Sequence, residues 1–542
     1  MISMVKDAHV LPLAVAVVAA VALTSAAHLP ANKQDESPFA LPDTLLIGAG
    51  VSAFQTEGAW DADGKVESAA DHLMHLGRLG PFQHGDPHLH DVAADSYHRY
   101  KEDVAMAKEL GLQVYRFSIS WGRVFFNGVR NEIGIKYYHN FIKEIKDSGM
   151  KPLVTLLHFD HPQAYEEAFK GWQSSQMVDK FVEYAKFAFD EYGSEVDLWV
   201  TMNEPNMFCP YFSEMYVMSG LYTREDANMY DCMRNLVLAH AKSYRAFKDA
   251  KHEGQVGINA IILHATPNST RPEDVYAAEL FNEVLAGQVL APVVHGDFPQ
   301  VLKNELKHKL TEFTEEEKQL IRGTTDFIGF NVYYSIEASY KDPAAPSPTI
   351  PIIGLFVEDL PMVSVSLAGA DESDPTTFYD AITPNSLRDA LLWTWESYKM
   401  PLIITENGIG DSRNVGKKDH LRASYHSAYL RALVTTMKEF NVPVRGYCAW
   451  SLIDSYEWGS GFDRPFGLVH VDYANKTLNR SLKESSEFWI ELSRTRVVPL
   501  REESTTFAPT ALPLSSSTPT FTFTSHSLQV SSALLCISRH FL

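Results

Sequence analysis

Two glutamates stand out by where they fall. In Pro401–Asp411 a short apolar run, Leu402–Thr405, delivers one carboxylate, Glu406, and stops at Asn407-Gly408, a turn signal. In Val196–Phe208 a second apolar run ends in Asn203-Glu204-Pro205. Pro205 closes it, having no amide to donate and restricting the residue before it. A charge at the end of a buried strand is costly unless it is partnered. One such Glu is equally well read as a strand end facing water, but two of the same form suggest a joint role. Hydrolysis of a glycosidic bond needs two carboxyl groups across the scissile bond. One protonates the leaving oxygen; the other attacks the sugar or activates a water.

Something must bring two distant stretches of chain together. Between about Leu41 and Leu492, short apolar runs alternate with amphipathic helical patterns. Eight strands are predicted, at Leu45–Phe54, Gln113–Trp121, Lys151–His158, Asp197–Asn203, Gln255–His264, Asp326–Tyr334, Leu402–Glu406 and Arg445–Leu452. Helical patterns lie between them, among them Lys101–Leu112, Ile135–Gly149, Ser175–Tyr192, Asp231–Ala250, Val275–Leu290 and Leu421–Phe440; Ser481–Leu492 follows the last strand. Strands apolar on both faces alternating with helices imply a parallel sheet covered by helices, and eight such units close as a (β/α)8 barrel. The rival is an open doubly wound sheet, which normally carries a glycine-rich phosphate loop after its first strand. Here Gly48-Ala49-Gly50 runs on as Val51–Gln55, with no helix start expected. In such a barrel, chemistry sits at the carboxyl ends of the strands. Polar and aromatic residues predicted at that rim are Gln55, Arg116, His158, Asn203, Glu204, Tyr333, Glu406, Trp450, Glu457 and Trp458, contributed by all but one of the strands. Trp60, Trp121 and Trp199 read as core.

The 542 residues suit one large α/β barrel or about three ordinary domains, with 45% apolar residues ample for a core. A net charge of −21 argues against nucleic acid or an anionic membrane as partner and fits a neutral small-molecule substrate. At the N-terminus, Lys6, an apolar run Val10–Leu23 and Thr24–Ala27 have the layout of a secretory signal peptide covering residues 1–27. The run is shorter than the ~20 residues of a membrane span, so an extracellular protein is expected, with no membrane attachment after cleavage; an uncleaved anchor is the rival. Cys209 and Cys232 flank one loop and are the expected disulfide. Cys448 reads as a buried thiol, and no cysteine spacing suggests a metal. Sequons stand at Asn268, Asn475 and Asn479. The barrel is expected over residues 41–493, with a Pro- and Ser-rich irregular connection at Ser335–Asp380. Residues 498–542 form a Ser/Thr/Pro-rich tail of disordered composition, too weakly apolar at its end for a lipid-anchor signal. His84, His88 and His90, near Asp86, read as a solvent-exposed loop and not as a metal site.

Several motifs resemble glycoside hydrolase family 1, the β-glucosidase family: Ser52–Trp60, Tyr115–Val124, Thr201–Pro205, Asp326–Ser335, Ile404–Gly408 and Trp450–Trp458, in that order along residues 41–493. The stretch around His240–Phe247 looks closest to secreted animal members, insects included. The resemblance implies a retaining β-glycosidase with Glu204 as general acid/base and Glu406 as nucleophile. It places Gln55, His158, Asn203, Trp450, Glu457 and Trp458 on the sugar and Arg116 and Tyr333 on the nucleophile, and it calls for no cofactor or metal. The chemistry of the residue types agrees. Arg116 stays charged and favours an ionised partner, carboxylates and amides bind sugar hydroxyls, and indoles stack on sugar C–H faces. Three stretches depart from the family pattern: Phe159 and His161 after the third strand, Val66–Asp71 near the first loop, and Asn206–Tyr222, which lacks the expected glycines. All three are expected to touch the substrate entrance or the residues around the sugar, not the two carboxylates, and they leave narrow specificity open. Two rivals remain: a sugar-binding or signalling protein on the same scaffold without catalysis, and an enzyme specialised for one defence or signalling glucoside, thioglucosides included. Aglycone and oligomeric state are not legible.

Overall fold

The computed structural model describes residues 37–77, 86–341, 357, 359–367, 382–411 and 416–501. Residues 1–27, predicted as a signal peptide, together with His84, Cys536 and nearly all of the tail, lie outside the described residues.

Eight parallel strands close into a barrel: β1 (Leu46–Gly50), β2 (Val114–Ser118), β3 (Lys151–Leu157), β4 (Leu198–Met202), β5 (Gln255–Ile261), β6 (Ile328–Asn331), β7 (Leu402–Asn407) and β8 (Val444–Trp450). Each pairs with its neighbour in sequence, and β1 closes on β8 from Leu46 opposite Gly446 to Gly50 opposite Trp450. The open-sheet rival is thereby excluded. All the strands but β7, which runs one residue further to Asn407, are shorter than the apolar runs that predict them, because hydrogen-bonded pairing stops before the chain leaves the barrel mouth. The first run shows this best. Beyond β1 it turns into a single helical turn, Ala53–Thr56, where no helix start was expected, and that turn carries Gln55.

The helices form the outer layer. They include α1 (Ser96–Glu109), α2 (Glu132–Asp147), α3 (Gln176–Tyr192), α4 (Pro205–Ser219), α5 (Met229–Asp249), α6 (Asn385–Tyr398), α7 (His420–Phe440) and α8 (Ser486–Thr495). In α2 the apolar positions Ile135, Tyr138, Phe141, Ile142 and Ile145 recur at helical spacing and are all buried, so one stripe faces the barrel. The predicted helix Val275–Leu290 is observed as Pro272–Asn282 and Gln288–His295, joined by a π turn at Glu283–Gly287. This stretch is long and apolar enough to cross a membrane, but it is mostly buried inside the protein.

Inside the barrel, Val114, Leu153, Val200, Phe327, Ile403 and Cys448 pack as a separate apolar cluster. It is a floor under the site, with Arg116 two residues above Val114 and Trp450 two above Cys448 on the same faces of their strands. Cys448 is the buried free thiol expected, and burial pushes its pKa up to about 12. Cys209 and Cys232 are disulfide-bonded, tying α4 to α5. Trp121 and Trp199 are core, but Trp60 is only half-buried. The connection after Tyr334 is less irregular than expected. Ile336–Tyr340 and Val363–Leu367 pair antiparallel and add Ala265–Pro267 to make a three-stranded sheet beside the barrel. Residues 342–356, 358 and 368–380 of that connection lie outside the described residues.

Candidate active site

Both glutamates come from strand ends and line one cavity of about 510 Å3. Glu204 follows β4 and caps α4. Its backbone is left-handed (φ 43°, ψ 60°), its amide donates to the Asn259 carbonyl at 3.1 Å, and Pro205 occupies the first helical position. A non-glycine residue in this conformation is held there by its surroundings at a cost of order 1 kcal/mol, and here it turns the carboxylate over the barrel mouth. Glu406 is placed differently. The pairing of β7 slips on both sides between Ile404 and the end of the strand, a bulge that re-aims side chains. Thr405 and Glu406 therefore both reach into the site, which strict alternation forbids. The next turn needs Gly408, where a Cβ would sit 1.8 Å from the Trp450 carbonyl oxygen.

A continuous hydrogen-bonded chain joins the two carboxylates. Arg116 rises from mid-strand in β2, not from its end, donating Nη1 to Glu406 Oε1 at 2.5 Å and Nη2 to Asn203 Oδ1 at 2.7 Å. Tyr333 Oη donates to Glu406 Oε2 at 2.6 Å. Asn203 Oδ1 also accepts from Asn259 at 2.7 Å and from Asn331 at 3.2 Å, and Asn331 Nδ2 donates to Glu204 Oε1 at 2.5 Å. Thr405 Oγ1 holds Asn331 Oδ1 at 2.7 Å. Asn259, Asn331 and Thr405 were missed by sequence reading. They form a buried polar layer directly beneath the glutamates, and Asn259 supplies the strand, β5, that had contributed nothing to the predicted rim.

The two carboxylates differ in electrostatic setting. Glu406 is clasped by a guanidinium and a phenol. Among the described residues, the Glu204 carboxyl accepts a hydrogen bond only from the neutral amide of Asn331. Burial, and then the charge of Glu406, push its carboxyl up to about 8, against smaller opposing effects of Asn331 and Arg116. Burial and the charge of Glu406 raise Tyr333 well above the ordinary phenol range, so it remains a donor.

The cavity wall supplies sugar-sized recognition elements. Gln55 Nε2 donates to Glu457 Oε2 at 3.1 Å, and Ser52 donates to Gln55 Oε1 at 2.7 Å. Burial, then Glu406, push Glu457 up to about 8. His158 is held neutral by burial and by Arg116. Its Nε2 lies 3.4 Å from Asn203 Nδ2, the donor of that amide, so the proton is assigned to Nδ1, which has no partner among the described residues. Its ring stacks on Trp450 (5.8 Å, 11° between planes). Trp458 stacks on Phe54 at 5.0 Å and meets Phe159 at 5.3 Å. All ten predicted site residues are thus gathered here: nine line the cavity, and Arg116 lies just behind Glu406.

The three departures from the family pattern fall in different places. Phe159 lines the cavity with a left-handed backbone (φ 69°). Met207 and Tyr211, from Asn206–Tyr222, also line it, one helical turn apart on α4. His161 does not reach the entrance. It is buried behind it, with Nε2 2.5 Å from Glu166, which also accepts from Tyr222. Nor does Val66–Asp71 reach it. Ser68 and Asp71 form a capping box at a helix start, and Asp71 is paired with Lys65. Of the histidines read as an exposed loop, His88 is exposed but His90 is buried.

A closed (β/α)8 barrel with two carboxyl groups of unlike setting facing one sugar-sized, partly aromatic cavity defines a glycosidase of the two-carboxylate type. The profile described as "Glycosyl hydrolase family 1" matches residues 37–497, and the chain belongs to that family. It is 34% identical over 467 residues to a cyanidin 3-O-glucoside 7-O-glucosyltransferase (acyl-glucose) of Delphinium grandiflorum, covering 83% of this chain and 89% of that one. The solved rice Os3BGlu6 beta-glucosidase superposes with a TM-score of 0.75 at 31% identity, over 83% of this chain and 98% of its own. An aphid myrosinase structure gives a TM-score of 0.74 at 31% identity, over 85% and 100%.

Proposed function

We propose that this chain is a secreted retaining β-glycosidase. It removes terminal β-D-glucosyl or similar residues from small-molecule or oligosaccharide β-glycosides by double displacement. The observation that carries the reading is the unlike setting of the two carboxyls. Glu406, held by Arg116 and Tyr333, has the partners of an ionised nucleophile. Glu204, buried and pushed up to about 8, has the setting of an acid that keeps its proton at neutral pH. In the first step Glu406 attacks the anomeric carbon while Glu204 passes its proton to the departing oxygen. The ester that forms removes the negative charge of Glu406, and with it one of the effects holding the proton on Glu204. Glu204 then takes a proton from water as that water attacks, and Glu406 leaves as carboxylate. Gln55, His158, Asn203 and Glu457 bind the sugar hydroxyls, and Trp450 and Trp458 receive its faces.

Secretion, removal of residues 1–27 and glycosylation belong to the same proposal. The disulfide fits an oxidising compartment, and Asn268, Asn475 and Asn479 are all exposed. One relative bears the name of a glucosyltransferase, which favours a second reading of the final step, in which an alcohol replaces water as acceptor.

The test is hydrolysis of aryl β-glucosides by the wild-type chain and by Glu406→Gln, with galacto- and fuco-configured substrates compared and an alcohol acceptor added. Hydrolysis by wild type that is lost in the variant supports the proposal. A folded wild type inert on all of them would favour the sugar-binding reading.

A further inference from the structure

We infer that His75, His88 and Asp91 form a binding site for one divalent transition-metal ion, outside the cavity that holds the two glutamates. Their ligand atoms all lie within 4.8 Å of one another. His75 stands in the last turn of the helix Ala69–Leu76, and His88 and Asp91 bracket the turn Leu89–Asp91. Asp91 faces both rings, with Oδ1 2.6 Å from His75 Nε2 and Oδ2 3.1 Å from His88 Nδ1.

Donors bound at about 2.0–2.2 Å to one ion stand no more than about 4.4 Å apart. The widest separation therefore asks for an adjustment of at most a few tenths of an ångström, which the exposed His88 ring can make. Two imidazoles and one carboxylate suit zinc and its transition-metal neighbours; calcium and magnesium prefer all-oxygen sets.

A second observation points the same way. His90 is buried, at 1% exposure, yet among the described residues neither of its ring nitrogens has a hydrogen-bond partner. A buried polar group without a partner is costly. Its Nε2 lies 3.6 Å from Asp91 Oδ1 and 3.7 Å from Asp71 Oδ1, and its ring lies 4.6 Å from that of His75. A cation held by Asp91 and His75 would lie close beside this ring, whose nitrogens stand outside the three mutually close ligand atoms. The site also backs the sugar platform, because the His90 ring lies 5.2 Å from Phe54, which stacks on Trp458. The ion would clip the Ala69–Leu76 helix to the turn behind that indole. The alternative is a metal-free His–Asp–His hydrogen-bonded relay.

The test uses the purified full chain, stripped with a chelator and titrated with zinc against a chromophoric indicator. One zinc per chain is expected, and cobalt(II) in its place should give the visible absorption of a low-coordinate nitrogen and oxygen site. Loss of an outer-shell partner already weakens metal sites by about 10–100-fold, so His88→Ala, which removes a ligand, should weaken zinc binding at least tenfold. His98→Ala, at an exposed His98–Asp95 pair, should leave it unchanged. Because His88 is exposed, its variant is expected to fold, which an unchanged zinc-free Tm would verify. His75→Ala provides a second ligand deletion. Absence of stoichiometric zinc, or equal affinity in wild type and His88→Ala, overturns the inference in favour of the relay.

Discussion

Replacing Glu204 with alanine should separate the two chemical steps. In the folded protein this carboxyl is pushed up to about 8, first by burial and then by Glu406, so at neutral pH it carries the proton the departing oxygen needs. Removing a positioned general acid costs about 10^2–10^4-fold where the leaving group is basic, as in an alkyl β-glucoside. A dinitrophenyl leaving group departs as a stable anion and needs no proton, so formation of the glycosyl-enzyme from that substrate should hardly change. The second step loses its base and becomes limiting. Dinitrophenol should therefore appear as a burst followed by slow turnover. Azide, a nucleophile that needs no base, should restore turnover and yield the β-glycosyl azide. The sign of the pH effect follows from which form is active. Protonated Glu204 is the working acid, so wild-type kcat/KM should fall as pH rises through about 8. The alanine variant should lose that alkaline limb with the dinitrophenyl substrate. Stopped-flow phenol release together with product analysis on the alkyl glucoside reads both limits. Equal losses on the two substrates, with no azide effect and an unchanged alkaline limb, would refute the assignment of Glu204 as acid.

Other outcomes are expected from particular contacts. Arg116→Met removes the donors to both Glu406 and Asn203. It should lower kcat/KM by at least the ~10^2-fold typical of losing one preorganised donor, with steady-state kinetics as the measure. Asn331→Ser withdraws the amide that opposes the rise of Glu204, so the alkaline limb of the pH profile should move to higher pH. Cys209→Ser opens a disulfide spanning a sequence separation of 23, and should cost about 2–4 kcal/mol in chemical denaturation. In secreting eukaryotic cells, N-terminal sequencing should begin just after Ala26 or Ala27. Endoglycosidase treatment should reduce the apparent mass, and a triple Asn→Gln change at positions 268, 475 and 479 should abolish that reduction.

The sequence made the barrel legible because its signal is long-range and repetitive. Strands apolar on both faces recur with helices between them, and only a covered parallel sheet accounts for that pattern. The rim residues were legible for the same reason, since a polar residue that ends an apolar run is conspicuous. What stayed hidden lay inside runs or depended on local backbone. Asn259 and Asn331 sit within β5 and β6, where an Asn in an apolar strand gives no hint of whether it faces the barrel lumen or the helices. Thr405 joins the site only through a bulge that breaks alternation, and a bulge leaves no mark on composition. His161 and the Val66–Asp71 stretch were placed at the entrance because their neighbours are there. The capping box at Ser68 and the pairing of His161 with Glu166 turn them inward instead. The sheet beside the barrel was missed because its strands are short and set among Pro and Ser, whose turn signals mask them.

The most direct test of double displacement is to trap its intermediate. Incubation with an activated 2-deoxy-2-fluoro-β-glucoside, followed by peptide mapping by mass spectrometry, should find a single fluoroglucosyl ester on the peptide containing Ile404–Gly408, at Glu406. The label should be absent from Glu406→Gln. A label on another residue, or continued hydrolysis with inversion at the anomeric carbon and no label at all, would contradict the assignment of Glu406 as nucleophile.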